Sequence, residues 1–352
     1  FQEDVHRRIF EVASALIKAG KVATPITLTA YSVGIGFALG IGPEVSAGAN
    51  DIDWNHFEFG LFLGTSPGSS GASINRLGRG LADARVGRKA KYVCVDPILR
   101  TTVANDTQAQ WLGIKPGTDS AFLFALVQVM LAQGWYDAKF LSLPSEARAK
   151  AAGEVNYSNA SHLVVVDPRH PQHHRFARAA DFGLGGEGAV VLEGGKLVAA
   201  AKAKTGELLV DRVLKDKNGQ PLRLVSSLAM LKQEADRTPL EQYSAACGIA
   251  VDAIVGVARE LSHHGRKAAV VTNTGNHNND AVMVGWLIAI LNNLIAAHDA
   301  KGGAIYGAGA SAQNTADLAA SGPFELFGRR HMLTVGADTL RVQTTGISGH
   351  WN

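Results

Sequence analysis

Short apolar runs that end in small polar loops recur along this chain, and each predicts a strand feeding a helix. Phe59–Leu63 is followed by Gly64-Thr65-Ser66-Pro67-Gly68-Ser69-Ser70-Gly71 and a helical stretch over Ser73–Ala84. Lys91–Val95 runs into Asp96-Pro97, and Ile114-Lys115-Pro116-Gly117-Thr118-Asp119 opens a helix over Ser120–Gln133. Ala268–Thr272 leads through the polar loop Asn273–Asp280 to a helix over Ala281–Ala297. Upstream, Gln2–Ala19 has helical periodicity and stops at Gly20, and a strand over Ile26–Ala30 enters the glycine-rich Tyr31–Gly42. Continuous apolar strands alternating with helices mark a parallel sheet buried on both faces. Occurring before and again after the middle of the chain, the pattern predicts two Rossmann-like, doubly wound α/β halves.

Between Glu146 and Thr238 the pattern weakens. A strand over His162–Asp167-Pro168 ends much as Val93–Pro97 does, and Gly194-Gly195 and Lys217-Asn218-Gly219 are hairpin turn signals. Helices return over Leu240–Ala246 and Val251–His263, and Lys301-Gly302-Gly303 closes the second unit. Beyond it, Gly328–Leu340 reads as short and broken.

Composition narrows the function classes. With 352 residues, 46% hydrophobic and 18% charged, the chain has ample material for a large core and no disorder signature. A net charge of +3, dispersed and without aromatic interleaving, argues against a nucleic-acid partner. The most apolar stretch, Ala281–Ala297, is interrupted by Gly285, Asn292 and Asn293, which favours a buried helix over a membrane span. Cys94 and Cys247 are the two cysteines, too few for an iron–sulfur cluster, and both read as buried small hydrophobes. Starting at Phe1 without a signal peptide, the chain is expected to be processed or a piece of something longer.

The candidate chemistry lies in the loops. Gly64–Gly71 could present backbone N–H groups to an anion, although neither a Walker A ending nor G-x-G-x-x-G is present; a plain βα turn accounts for it equally well. Asp96 and Asp119 could accept hydrogen bonds from a guanine edge or ribose hydroxyls, against an Asp-Pro turn and a helix-start residue respectively. Thr274-Gly275-Asn276-His277 suits a polyhydroxyl, pterin or phosphate ligand. The histidine groups His170, His173, His174 and His263, His264 lack partner carboxylates at ligand spacing and read as surface. Ser32, before Gly34 and Gly36, could be an oxygen ligand to a metal; no hydrolase triad pattern surrounds it.

Taken together, Tyr92-Val-Cys-Val-Asp96-Pro97, Trp111-Leu-Gly-Ile-Lys-Pro-Gly117-Thr-Asp119 and Gly134-Trp-Tyr-Asp137 resemble the guanine-nucleotide region of the dimethyl-sulfoxide-reductase superfamily of molybdopterin oxidoreductases. Phe59–Pro67, Cys247-Gly248-Ile, His264–Ala268 and Leu291–Leu294 add to the resemblance, which is strongest to tetrathionate reductase large subunits and covers roughly residues 25–145 and 235–305. It implies molybdenum or tungsten on two pterin guanine dinucleotides. One of these would be contacted by Gly64, Thr65, Ser66, Pro67, Asp96, Gly117 and Asp119, and the other by Thr274–His277. Ser32 lies where the family places its metal ligand, Cys in the tetrathionate branch and Ser in some others.

The resemblance further implies one Rossmann-like domain inserted in the other. Residues 1–24 would start the first domain, 25–150 form the inserted one, 151–310 the second and 311–352 a fragmentary C-terminal segment. The family's N-terminal iron–sulfur domain, with its [4Fe-4S] cluster, and most of its C-terminal β-barrel are missing from these residues. An iron–sulfur electron-transfer subunit, a membrane anchor subunit, a periplasmic location and reduction of tetrathionate or a related sulfur compound or oxyanion are implied likewise. Two alternatives stand beside this: a metal-free structural subunit of a respiratory complex, and an ordinary nucleotide-dependent α/β enzyme, which the missing phosphate-loop fingerprint weakens.

Overall fold

The computed structural model describes residues 51–305, except 66, 68–73, 100–102, 104–105, 169, 171, 187 and 273–280, and the backbone of 310–326 and 329–345. The helix and strand expected within Gln2–Ala30, and the loop Asn273–Asp280, lie outside the described residues. In chain order the first elements are β1 Asp51–Ile52, β2 Phe59–Leu63, α1 Ile74–Arg88, β3 Lys91–Val95, β4 Ala109–Leu112, α2 Asp119–Gln133, α3 Ala138–Leu141 and α4 Glu146–Ala151. Then come β5 Leu163–Val165, β6 Val190–Glu193, β7 Lys196–Ala199, β8 Asp211–Lys215, β9 Pro221–Ser226 and α5 Ser227–Ala235. The series closes with α6 Leu240–Cys247, α7 Val251–His264, β10 Ala268–Thr272, α8 Ala281–Leu294, β11 Ala304–Ile305, β12 Ala310–Leu326 and β13 Arg329–Thr345.

One parallel sheet, ordered β10-β2-β3-β4, carries the core. Strands β10, β2 and β3 are buried throughout or nearly so because both faces are covered, which is why they read as apolar runs. In register, Thr272 lies beside Leu63, Leu63 beside Val95 and Val95 beside Leu112. All four strands therefore end at the same edge. The sequence suggests two parallel sheets; among the described residues there is one, and it draws strands from both sides of residue 150. Strand β4 escapes the sequence pattern because it is a polar edge strand, with Gln110 and Trp111 exposed.

Helix α2 is apolar around most of its circumference, as its surroundings require: α5, α6, α7 and α8 all pack on it. It stops at Gly134, whose left-handed φ of 68° lets its N–H reach the Met130 carbonyl. At the other edge of the sheet, the fully buried Asn292 of α8 closes β10. Its Oδ1 accepts the Val270 N–H at 2.9 Å and its Nδ2 donates to the Val270 carbonyl at 2.8 Å.

The opposite, N-terminal edge of the sheet is held by charges. Lys267 Nζ lies 2.6 Å from Glu58 Oε1, and His264 lies between Glu58 (3.2 Å) and Glu260 (3.4 Å). Its ring stacks on Phe59, with centroids 5.6 Å apart. The surface reading holds for exposed His263 but not for His264, whose side chain is only 15% exposed and which, against expectation, does have a carboxylate one helical turn away, Glu260. The Lys267 hydrogen bond, followed by that of His264 and set against partial burial, holds the Glu58 carboxyl below its ordinary value of 4.5. A depressed carboxylate stabilises the fold above its ordinary value, and that contribution fades as pH falls through and below 4.5. Glu58→Gln should therefore unfold at a lower temperature than the unsubstituted protein at pH 7, with the two midpoints converging towards pH 3; a constant gap across that range contradicts the ion pair's role.

Apolar residues between Leu163 and Leu224 form a second core cluster of their own. Strands β5-β9-β8 make an antiparallel sheet, and β6 pairs with β7 across Gly194-Gly195. The expected turn at Lys217-Asn218-Gly219 joins β8 to β9, with Asp216 Oδ1 accepting the N–H groups of Asn218 and Gln220. Although β5 ends like β3 in sequence, it pairs antiparallel with β9 and does not repeat the β3 environment. Pairing partners are set by tertiary context, which a local ending does not encode.

Residues 307–352 are a separate unit. There β12 and β13 form an antiparallel hairpin of 17 residues per strand, from Ala310 opposite Thr345 to Leu326 opposite Arg329. Within the stretch that reads as broken, residues 329–340 pair continuously, because a hairpin is defined by its opposite strand.

Candidate functional site

The loops following β2, β3 and β4 lie side by side at the C-terminal edge of the parallel sheet, where open α/β sheets present ligand crevices. Backbone hydrogen bonds lace them together: Gly64 N–H to the Val95 carbonyl at 2.9 Å, and Asp96 N–H to the Leu112 carbonyl at 3.2 Å. Gly64 takes a left-handed φ of 56°, which turns the chain out of β2 at once.

Thr65 follows and is 2% exposed. Its Oγ1 is buried and has no hydrogen-bond partner among the described residues. Native proteins seldom leave a buried hydroxyl in that state unless something else supplies the partner. Pro67 beside it is buried.

Asp96 is buried at the end of β3, and one carboxylate oxygen accepts the Ile98 N–H at 2.9 Å. That is the Asp-Pro turn anticipated as the plain reading, and it also fixes the plane of the carboxylate. Trp111 Nε1 donates to the Asp96 carbonyl at 2.9 Å, so β4 braces this loop. Sequence reasoning gives Trp111 no such role; a tryptophan following the polar Gln110 on a short strand is the available signal.

The loop before α2 completes the edge. Gly117 has φ 74° and open space where a Cβ would project. Thr118 precedes the helix, but its hydroxyl donates back to the Lys115 carbonyl at 2.7 Å and does not cap the helix. Asp119, in the first turn, is buried. Thus Gly64, Thr65, Pro67, Asp96, Gly117 and Asp119 come from three neighbouring loops. Ser32, Ser66, Thr274, Gly275, Asn276 and His277 lie outside the described residues.

The cysteines are not ligands in waiting. Burial pushes the Cys94 thiol up to about 12, and burial also raises that of Cys247. Both are free and buried, as their apolar surroundings in the sequence suggest. Among the described residues, no three His, Cys, Asp or Glu side chains cluster as a metal site, and no helix is long and apolar enough to cross a membrane.

No protein-family model matches the chain. It is 35% identical over 261 residues to a tetrathionate reductase subunit of Salmonella typhimurium, spanning 73% of this chain and 26% of that protein. Identity to a tetrathionate reductase subunit of Archaeoglobus fulgidus is 31% over 270 residues, 74% of this chain and 23% of the relative. A selenate reductase subunit of Mesobacillus selenatarsenatis is 32% identical over 224 residues, 61% of this chain and 20% of the relative. The chain is homologous to catalytic subunits of the dimethyl-sulfoxide-reductase superfamily of molybdopterin oxidoreductases. It spans about a quarter of the length of the first two relatives. Among solved structures, acetylene hydratase from Pelobacter acetylenicus superposes with a TM-score of 0.45 at 14% identity, over 81% of this chain and 27% of that one.

Proposed function

We propose that this chain is the nucleotide-holding part of the catalytic subunit of a molybdenum or tungsten bis(pterin guanine dinucleotide) oxidoreductase. Its activity is the respiratory reduction of tetrathionate or a related sulfur compound or oxyanion. Supporting this, two similar proteins are named as subunits of tetrathionate reductase and a third as one of selenate reductase. The observation that carries the reading is Thr65: a buried hydroxyl with no partner among the described residues, on the sheet edge where Asp96, Gly117 and Asp119 also lie. A polar nucleotide would supply the missing partner. Its oxygens could take the Thr65 hydrogen bond, and the Cβ-free space at Gly117 allows close backbone approach.

When bound, the cofactor supplies two-electron redox chemistry at its metal, and the reaction belongs to that group. This chain's residues bind and orient. Thr65 and the Gly117–Asp119 loop hold one nucleotide end, and Trp111 keeps the Asp96 loop against the sheet. The second nucleotide is assigned to Thr274–His277 and metal ligation to Ser32. In this reading the [4Fe-4S] cluster and the capping β-barrel belong to domains outside these 352 residues, and residues 25–150 form one Rossmann-like domain inserted in the other. The relatives are named as subunits of larger reductases, which supports electron-transfer partners. These would be an iron–sulfur protein and a membrane anchor at the outer face of the cytoplasmic membrane.

Metal and guanine-nucleotide analysis of the full-length protein tests the reading. Near-stoichiometric molybdenum or tungsten with guanine nucleotide released on denaturation is expected; absence of both metals overturns the molybdopterin enzyme reading. Thr65→Val sharpens the test. Removing an unsatisfied buried hydroxyl should leave the thermal midpoint unchanged or raised, yet reduce bound guanine nucleotide roughly tenfold, the equivalent of about 1.4 kcal/mol. Unchanged nucleotide content removes Thr65 from the site.

A further inference from the structure

A lysine in a glycine-containing loop at a strand end invites assignment as a phosphate ligand. Lys115 is committed elsewhere. Its Nζ donates to the Ala245 carbonyl at 2.7 Å, and its backbone N–H donates to the Cys247 carbonyl at 2.9 Å. Both acceptors belong to the last turn of α6, where carbonyls lack helical partners and carry partial negative charge. Between the two bonds the lysine stem crosses Gly248, where a Cβ would stand 3.2 Å from both Cγ and Cε. Gly248 itself has φ 79°, and its N–H closes α6 on the Ser244 carbonyl at 2.8 Å. Ser244 Oγ donates in turn to the Ile249 carbonyl at 2.7 Å, so the whole turn is tied down.

Toward the loop, the Lys115 carbonyl accepts the Thr118 hydroxyl at 2.7 Å, closing the turn that contains Gly117. Helix α6 is also fastened to α2 directly: Tyr243 stacks on Phe124 with centroids 6.1 Å apart. From these contacts we infer that Lys115 and the Gly248 turn form a strut that sets where Gly117–Asp119 meets the nucleotide, so that Lys115 is a positioning residue and not a phosphate ligand. The inference rests on the nucleotide reading of this loop given above.

Three variants of the full-length holoenzyme test it. Lys115→Met keeps the stem and removes the ammonium, Lys115→Arg restores a charged donor, and Gly248→Val displaces the stem. With the strut broken, amide hydrogen exchange across 115–119 should rise about tenfold or more in Lys115→Met, as expected for loss of a charge-assisted hydrogen bond, while amides of β2 and β3 stay unchanged. Guanine-nucleotide content should fall with it, Gly248→Val should reproduce both effects, and Lys115→Arg should recover part of each. Unchanged loop exchange in Lys115→Met overturns the inference. Nucleotide loss without a change in loop exchange also overturns it, since that pattern belongs to a direct phosphate ligand. If the unsubstituted protein holds no guanine nucleotide, the functional reading fails, and the exchange measurement still decides whether the strut exists.

Discussion

Asn292→Leu should lower the unfolding free energy by about 2–6 kcal/mol, at about 1–3 kcal/mol for each buried backbone group left without a partner. Those two groups are the N–H and carbonyl of Val270, at the edge of the parallel sheet. The Asn292 side-chain amide meets both as a neighbouring strand would. Leucine is similar in size, so packing of α8 is largely kept and the loss is one of hydrogen bonding. Against a typical total of about 5–15 kcal/mol, the change takes a large share of the margin. Denaturant unfolding of the full-length protein, with exchange at the Val270 amide, measures it. A change within about 0.5 kcal/mol, the range of ordinary surface substitutions, contradicts this account of the edge.

The second large effect is expected at Gly303. A Cβ there would stand 2.0 Å from the Ala297 carbonyl oxygen and 3.0 Å from that of Arg266. Both obstacles are backbone, so no side chain can swing aside. The neighbouring Gly302 is equally constrained: its φ is 86°, a Cβ would come within 2.6 Å of the His56 carbonyl, and its N–H donates to Asp53 Oδ2 at 3.0 Å. Gly303→Ala should therefore cost about 1–3 kcal/mol or more, in the range of overpacked interiors. Gly256→Ala is the control. It lies inside α7 with nothing within 4 Å of the added carbon, and should be neutral or stabilise by up to about 1 kcal/mol. Equal effects at both positions would mean that close backbone approach is not what Gly303 provides.

Much of this architecture is legible in the chain itself. Strands β2, β3 and β10 appear as apolar runs with the same limits in sequence and structure, because a strand buried on both faces admits only apolar residues. Helices α2, α6 and α7 begin and end within a residue of expectation, since Gly134 and Gly248 mark stops that any helix must respect. What escaped was relational. β4 is polar because it lies at an edge, and β5 resembles β3 only in its ending.

The candidate site divides along the same line. Its loops could be picked out one by one, by small and polar residues after apolar runs, and family resemblance tied them to one ligand. Nothing local in Thr65 says that its hydroxyl is buried without a partner among the described residues, nor in Lys115 that its charge is committed to α6, 130 residues later. The sequence by itself determined which residues form strands, helices and ligand-facing loops, because backbone preference and burial act at short range. Only the tertiary structure decided that β10 lies beside β2, that three loops meet at one edge, and which polar groups are satisfied by the protein. Pairing and desolvation depend on what the rest of the chain brings into contact, and that information is held jointly by residues far apart in sequence.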